Sequence, residues 1–158
     1  MEDMNAQQAK DEKDIFRKFI KNCPYPIQEN SIEAKPTPEP DVSCKFRDGT
    51  LAYFELTELV DNSVAKSIYG GSFEGGFFTD DFLFENISNK FKKNYSQTCD
   101  LIAYYDVQPI IVEKNYLSIL QDFIKVNIKN SPFRRVWIYS VHQEKVIFVY
   151  PAIETSGN

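Results

Sequence analysis

Residues 40–57 read PDVSCKFRDGTLAYFELT, two alternating runs, 41–46 and 50–59, about a turn at Arg47-Asp48-Gly49. The turn can be tested by register, because a slip of one residue moves a strand's whole side-chain set to the other face. A two-residue Asp-Gly turn sets Asp41 opposite Leu56 and Val42 opposite Glu55, mixing charged and apolar side chains on both faces. A three-residue loop with Gly49 in the left-handed position is the next common hairpin. It sets Asp41 opposite Glu55, Val42 opposite Phe54, Ser43 opposite Tyr53 and Cys44 opposite Ala52. One face then collects Val42, Cys44, Phe46, Ala52, Phe54 and Leu56, and the other Asp41, Ser43, Glu55 and Thr57. The second register is the expectation.

Outward from the hairpin, residues 5–21 have helical spacing, with Ile15, Phe16, Phe19 and Ile20 on one side and Pro24 and Pro26 closing the segment. Five of the eight prolines fall in residues 24–40, an extended connector with room for a short edge strand around Ser31–Lys35. After the hairpin, Gly70 to Gly76 holds four of the six glycines; no Gly-Lys-Ser/Thr follows, so it reads as a loop rather than a phosphate cradle. A helix is expected over 82–95, capped by Asp80 or Asp81, with Phe84, Ile87, Phe91 and Tyr95 on one face. A buried strand follows at 100–105 and a helix at 115–130 with Leu117, Leu120, Ile124 and Ile128 inward. A hairpin of 135–141 and 145–150 closes the chain. The expected class is α/β, an α+β mixed sheet in the order helix, strands, helix, strand, helix and closing β-hairpin. Residues 1–158 read as a single domain whose ends, 1–10 and 151–158, fray.

Composition bounds the function. With 18 Lys+Arg against 23 Asp+Glu the formal charge is −5, which excludes a generally basic nucleic-acid coat. The charge is uneven: residues 1–81 carry 9 basic and 16 acidic residues, net −7, and residues 82–145 carry 9 and 6, net +3. An anionic partner would find its attraction in the second half. Aromatic residues (13 Phe, 9 Tyr and 1 Trp) argue for a packed core. No apolar run is long enough for a membrane helix, and the acidic start is unlike a secretory signal. Three widely spaced cysteines, Cys23, Cys44 and Cys99, read as free thiols of a reducing cytoplasm. With His142 as the lone histidine, a turn residue between strands, no Cys/His zinc set exists.

Asp41 and Glu55 are the informative pair. As cross-strand neighbours their Cβ atoms would lie about 4.5–5.5 Å apart, and like charges directly opposite are destabilising. A hard divalent cation gives such a pair a reason: Mg²⁺ is typically held by one or two carboxylates with waters and phosphate oxygens. Thr57, two residues on and on the same face, could orient a water or a phosphate oxygen.

Pro40-Asp41, a hairpin, then Glu55-Leu56-Thr57 resembles the PD-(D/E)xK phosphodiesterase superfamily, the restriction-endonuclease-like fold. The stretch 84–95 followed by Asp100-Leu101-Ile102-Ala103 is similar to that family's helix–strand unit after the Glu strand. The resemblance implies metal-dependent hydrolysis of nucleic-acid phosphodiesters, with DNA ahead of RNA. Asp41, Glu55 and the carbonyl of Leu56 would hold Mg or Mn. The family's lysine is replaced by Thr57. Some members of such families relocate that lysine to the following helix, where Lys90 lies about 60° from Ile87 on the helical wheel; Lys93 points further out and Lys92 to solvent. Glu12 on the first helix would be an accessory carboxylate. A protein partner would compensate the acidic charge, and cutting both strands of a duplex would call for a homodimer.

Blander readings stand beside this one. On these, Asp41 is merely a strand start, Glu55 a solvent-facing strand residue, and Arg134 and Arg135 either phosphate contacts or strand flanks. An inactive member of the same fold used in binding or assembly accounts for Thr57. An acidic immunity- or inhibitor-type protein accounts for the net −7 of the first half.

Overall fold

A computed structural model describes residues 2–35, 39–59, 85–105 and 114–153. The glycine-rich stretch 70–76, the Asp80/Asp81 cap, Phe84 and residues 154–158 lie outside the described residues.

The first helix, α1 (Glu2–Ile20), begins three residues before the expected one. It buries Phe16 and Phe19 fully and half-buries Ile15 and Ile20, as the periodicity requires. Its last turn tightens through Lys21 N–H to the Lys18 carbonyl and Asn22 N–H to the Phe19 carbonyl before Pro24. The strand β1 (Ile27–Ala34) is longer than the Ser31–Lys35 segment expected. Its first half escapes the alternation test because the pairing jumps from Gln28↔Lys45 to Glu33↔Ser43. Ser31 fills that bulge: its Oγ accepts from Lys45 N–H at 2.7 Å and donates to the Gln28 carbonyl at 2.6 Å.

The hairpin of β2 (Val42–Phe46) and β3 (Leu51–Glu58) has the expected register: Val42↔Phe54, Ser43↔Tyr53 and Cys44↔Ala52. Gly49 sits at φ 92°, in the left-handed region that a side chain would strain. Thr50 N–H is held by the Asp48 carboxylate at 2.9 Å.

From β3 the chain crosses through α2 (Glu85–Phe91) to β4 (Cys99–Tyr105), parallel to β3. It then crosses through α3 (Lys114–Asn127), continued by a 3₁₀ turn at Ile128–Asn130, to β5 (Phe133–Ser140), parallel to β4. The antiparallel β6 (Lys145–Tyr150) completes one six-stranded sheet in the order β1-β2-β3-β4-β5-β6. The α2 helix stops four residues short of the expected end, so Tyr95 lies beyond it; its ring still packs on Phe133 at 5.6 Å.

The mixed sheet separates two cores. On the α1 side Phe16, Phe19, Phe54, Leu56, Ile102, Trp137 and Tyr139 pack together, with Phe16 on Phe54 at 4.8 Å and Phe19 edge-on to Trp137 at 5.0 Å. On the other side Ile87, Phe91, Leu101, Ala103, Leu120, Ile124 and Ile138 pack between sheet and helices. The near-complete burial of β4 follows from its central place in the sheet, with α1 over one face and the two crossover helices over the other. No helix among the described residues is long and apolar enough to cross a membrane.

One buried charge anchors the α1 side. Asp100 is fully buried. Its Oδ1 accepts from Arg134 Nε and Nη2, both at 2.9 Å, and its Oδ2 from Trp137 Nε1 at 2.9 Å and the Tyr25 hydroxyl at 3.2 Å. Arg135 Nη1 donates to the Tyr25 oxygen at 2.7 Å and Nε to the Pro151 carbonyl at 3.0 Å. The bulge between Cys99 and Asp100 in the β4–β5 pairing brings Arg134 to this carboxylate beside its in-register neighbour Arg135. The two arginines are therefore engaged within the fold. Asp100→Ala strands three donor side chains around a hole and should cost about 3–5 kcal/mol of stability in urea unfolding. Arg134→Ala leaves the buried Asp100 carboxylate without its guanidinium and should cost a comparable amount. A loss under about 1 kcal/mol for Asp100→Ala would refute the anchoring role.

Candidate metal and phosphodiester site

The hairpin register puts Asp41, just before β2, abreast of Glu55 on β3. Because Phe46 N–H bonds the Thr50 carbonyl, the hydrogen-bonded pairs of this hairpin are 46/50, 44/52 and 42/54. Asp41 and Glu55 fall at the alternate, narrow pairing, where side chains stand closest. The same parity turns the N–H and C=O of Leu56 toward the β2 side, where the register offers Pro40. Proline has no N–H to give that carbonyl. The Leu56 N–H is taken instead by Asp41 Oδ2 at 3.0 Å. Asp41 N–H in turn donates to Glu55 Oε1 at 2.9 Å. Each acid thus caps the other's stretch of backbone, and the Leu56 carbonyl faces the same end of the hairpin as the two carboxylates.

Lys90 reaches this pair from α2. Asn86 Nδ2 donates to the Glu58 carbonyl at 2.6 Å and ties the start of the helix to the end of β3. Ile87 is fully buried beneath the helix, and one turn later the Lys90 ammonium meets Glu55 Oε2. Both partners are shielded: the side chains are 20% exposed for Lys90 and 5% for Glu55. Lys92 and Lys93 are exposed.

Burial and then the charge of Glu55 raise the Asp41 carboxyl from 3.8 to about 6, against the opposing pull of the Leu56 N–H and Lys90. Thr57 is buried two residues beyond Glu55 on the same face, beside Ala103 of β4, and brings no positive charge. Glu12, half-buried on α1, is one of the carboxylates around the Tyr104 hydroxyl, with Glu58 and Asp41; burial and these charges raise that phenol's pKa. His142 is exposed in the β5–β6 turn. Cys44 and Cys99 are buried and Cys23 half-buried, all free thiols. Burial raises Cys23 to about 11 and Cys44 and Cys99 to about 12, which leaves no thiolate nucleophile.

One residue of the site was not anticipated as polar. Tyr95, expected only as part of an apolar helix face, buries a hydroxyl oxygen that makes no hydrogen bond to the described residues, and burial, then the charge of Glu55, raises its pKa. The available signal was the choice of tyrosine where phenylalanine would fill the same apolar position.

Among the described residues no group of three or more His, Cys, Asp or Glu side chains is arranged to hold a metal. The donor set is two carboxylates and a backbone carbonyl. These are hard oxygen donors in the number that Mg²⁺ takes from a protein when waters and a phosphate complete its shell. Burial first, and then the Glu55 charge, disfavour the ionised form of Asp41, and a cation at the pair would favour it. Comparison with protein-family models, with curated proteins and with solved structures found no match.

The pH dependence follows from the sign of the Asp41 shift. The native carboxyl holds its proton up to about pH 6, whereas the unfolded one loses it near 3.8, so stability falls as pH rises through that window. Asp41→Asn keeps an oxygen for the Leu56 N–H and drops the charge. It should leave stability little changed near pH 4 and raise it by on the order of 2 kcal/mol near pH 7.5, read from urea midpoints. Equal midpoints at both pH values would contradict the shift.

Proposed function

We propose that this chain is a metal-dependent nuclease of the PD-(D/E)xK type, with a restriction-endonuclease-like core. The observation that carries the reading is the meeting of Lys90 with Glu55, across from Asp41. The cation that Thr57 does not supply arrives from α2. The strand plan supports it: three antiparallel strands carry the acids, and a helical crossover leads to a parallel fourth strand.

Asp41, Glu55 and the Leu56 carbonyl would hold Mg²⁺ or Mn²⁺. Such an ion supplies an activated water and neutralises charge on a scissile phosphate. The chain's own residues do the rest. Pro40 withholds an N–H from the Leu56 carbonyl. Asp41 and Glu55 fix each other through backbone contacts. Lys90, held on a short helix tied to β3, stands ready to hydrogen-bond the attacking water or a phosphate oxygen, and its charge favours the anionic transition state. Thr57 shapes the floor beside it. The substrate class is nucleic acid, DNA before RNA, and the net +3 of residues 82–145 provides the electrostatic attraction on the half that carries Lys90.

One observation favours a second reading. Lys90 is spent on Glu55 in a shielded ion pair, as a binding or assembly protein that had lost its chemistry would keep it. Plasmid nicking separates the two. With Mn²⁺ the protein should relax supercoiled DNA. Asp41→Ala, Glu55→Ala and Lys90→Ala should each lower the rate at least about 100-fold, and Thr57→Val about tenfold. Absence of cleavage on single- and double-stranded DNA and RNA, together with no heat of Mn²⁺ binding, would select the inactive reading.

A further inference from the structure

The face of the sheet that carries Asp41 and Glu55 continues past them toward the hairpin turn. Alternation puts Ser43 and Lys45 of β2, and Tyr53 and Leu51 of β3, on this face, because Val42, Cys44, Ala52 and Phe54 belong to the α1-side core. Cross-strand pairing sets them in two rows, Glu33-Ser43-Tyr53 and then Lys45-Leu51. The strip is open: Leu51 is 55% exposed, Lys45 is exposed and Tyr53 is half-buried. The α2 helix walls one side of it, running down β3 from Asn86 at the Glu58 carbonyl to Lys90 at Glu55. The helix end tightens, with Lys92 N–H donating to the Asn89 carbonyl at 3.2 Å and Lys93 N–H to the Lys90 carbonyl at 3.1 Å. Residues three apart eclipse in such a turn, so Lys93 follows Lys90 on the flank that faces β3. Lys45 and Lys93 are both exposed, and neither pairs with a carboxylate among the described residues. Glu33, the carboxylate of the Tyr53 row, is matched by Lys35 at 2.9 Å.

Two unmatched cations about a half-exposed aromatic ring and an exposed leucine fit one class of ligand. Lysines take phosphates, and an aromatic ring takes the face of a base. In a duplex those faces are stacked on one another and withheld. We propose that this strip is a binding track for single-stranded nucleic acid: Lys45 and Lys93 hold phosphates on either side of Tyr53, an unpaired base stacks on the Tyr53 ring beside Leu51, and the strand runs on to the Asp41–Glu55 pair. The inference deepens the nuclease reading by naming its substrate as a single strand, and rests on that reading for its purpose. The track itself is a matter of binding and is measured without any cleavage.

Fluorescence anisotropy on the full, metal-free chain tests the track, with a labelled oligothymidylate and a duplex of the same length titrated over a series of salt concentrations. The single strand should bind at least about fivefold tighter than the duplex. Tyr53→Leu keeps an apolar side chain on the core and should weaken single-strand binding at least about fivefold, with duplex binding unchanged. Lys45→Gln and Lys93→Gln alter exposed positions that the fold does not need, and each should flatten the slope of log affinity against log salt by about 0.7. Lys129→Gln, exposed beyond the end of α3, should leave that slope as it is. Duplex bound as tightly as the single strand, or Tyr53→Leu without effect, overturns the stacking track. A slope change in Lys129→Gln as large as in the other two overturns its location. If the binding results hold and Mn²⁺ brings no cleavage of any strand, the track stands and the nuclease reading alone falls. Mn²⁺-dependent cleavage with the duplex preferred keeps the nuclease reading and removes the track.

Discussion

Two carboxylates of like charge stand side by side at the open end of a β-hairpin, in surroundings that shield them from water. Everything notable about this chain follows from how that arrangement is held. Gly49 fixes the loop length, the loop length fixes the parity, and the parity sets Asp41 against Glu55 in the narrow pairing rather than against Leu56. Pro40 then ends the ladder on the side where Leu56 presents its carbonyl. A single N–H among the described residues reaches the Asp41 carboxylate, so burial and the neighbouring charge are left to raise its pKa to about 6.

The contrast with Asp100 gives that arrangement its meaning. Both acids are shielded, and they lie on opposite faces of the sheet. Asp100 receives four donated hydrogen bonds from Arg134, Trp137 and Tyr25, and among the described residues no buried side-chain polar atom of these partners is left unmet. That is how a chain keeps a carboxylate whose task is to hold a fold together. Around Asp41 and Glu55 the described residues offer less: one N–H to the Asp41 carboxylate, and one N–H and one ammonium to Glu55. Two shielded carboxylates with a single ammonium between them favour a further positive charge.

Much of this was legible in the sequence, for a definite reason. The hairpin has strict alternation and a glycine at the turn, so only one register kept both faces clean. The helical wheel placed Lys90 at the margin of an apolar stripe, close enough to the sheet to reach it. What stayed hidden depended on breaks in those regularities. The first half of β1 was masked by a bulge that Ser31 fills. The Asp100 cluster needed a second bulge to bring Arg134 to the carboxylate, and a tyrosine 75 residues away. Tyr95 sits past a helix that ends early, and its position relative to Glu55 follows from the packing of Phe133 rather than from any local period.

The most direct measurement is an anomalous difference map from crystals soaked in manganese. The account predicts a single strong peak within bonding distance of the Asp41 and Glu55 carboxylates and the Leu56 carbonyl. A map with no peak there, while the two side chains keep their places, would contradict it.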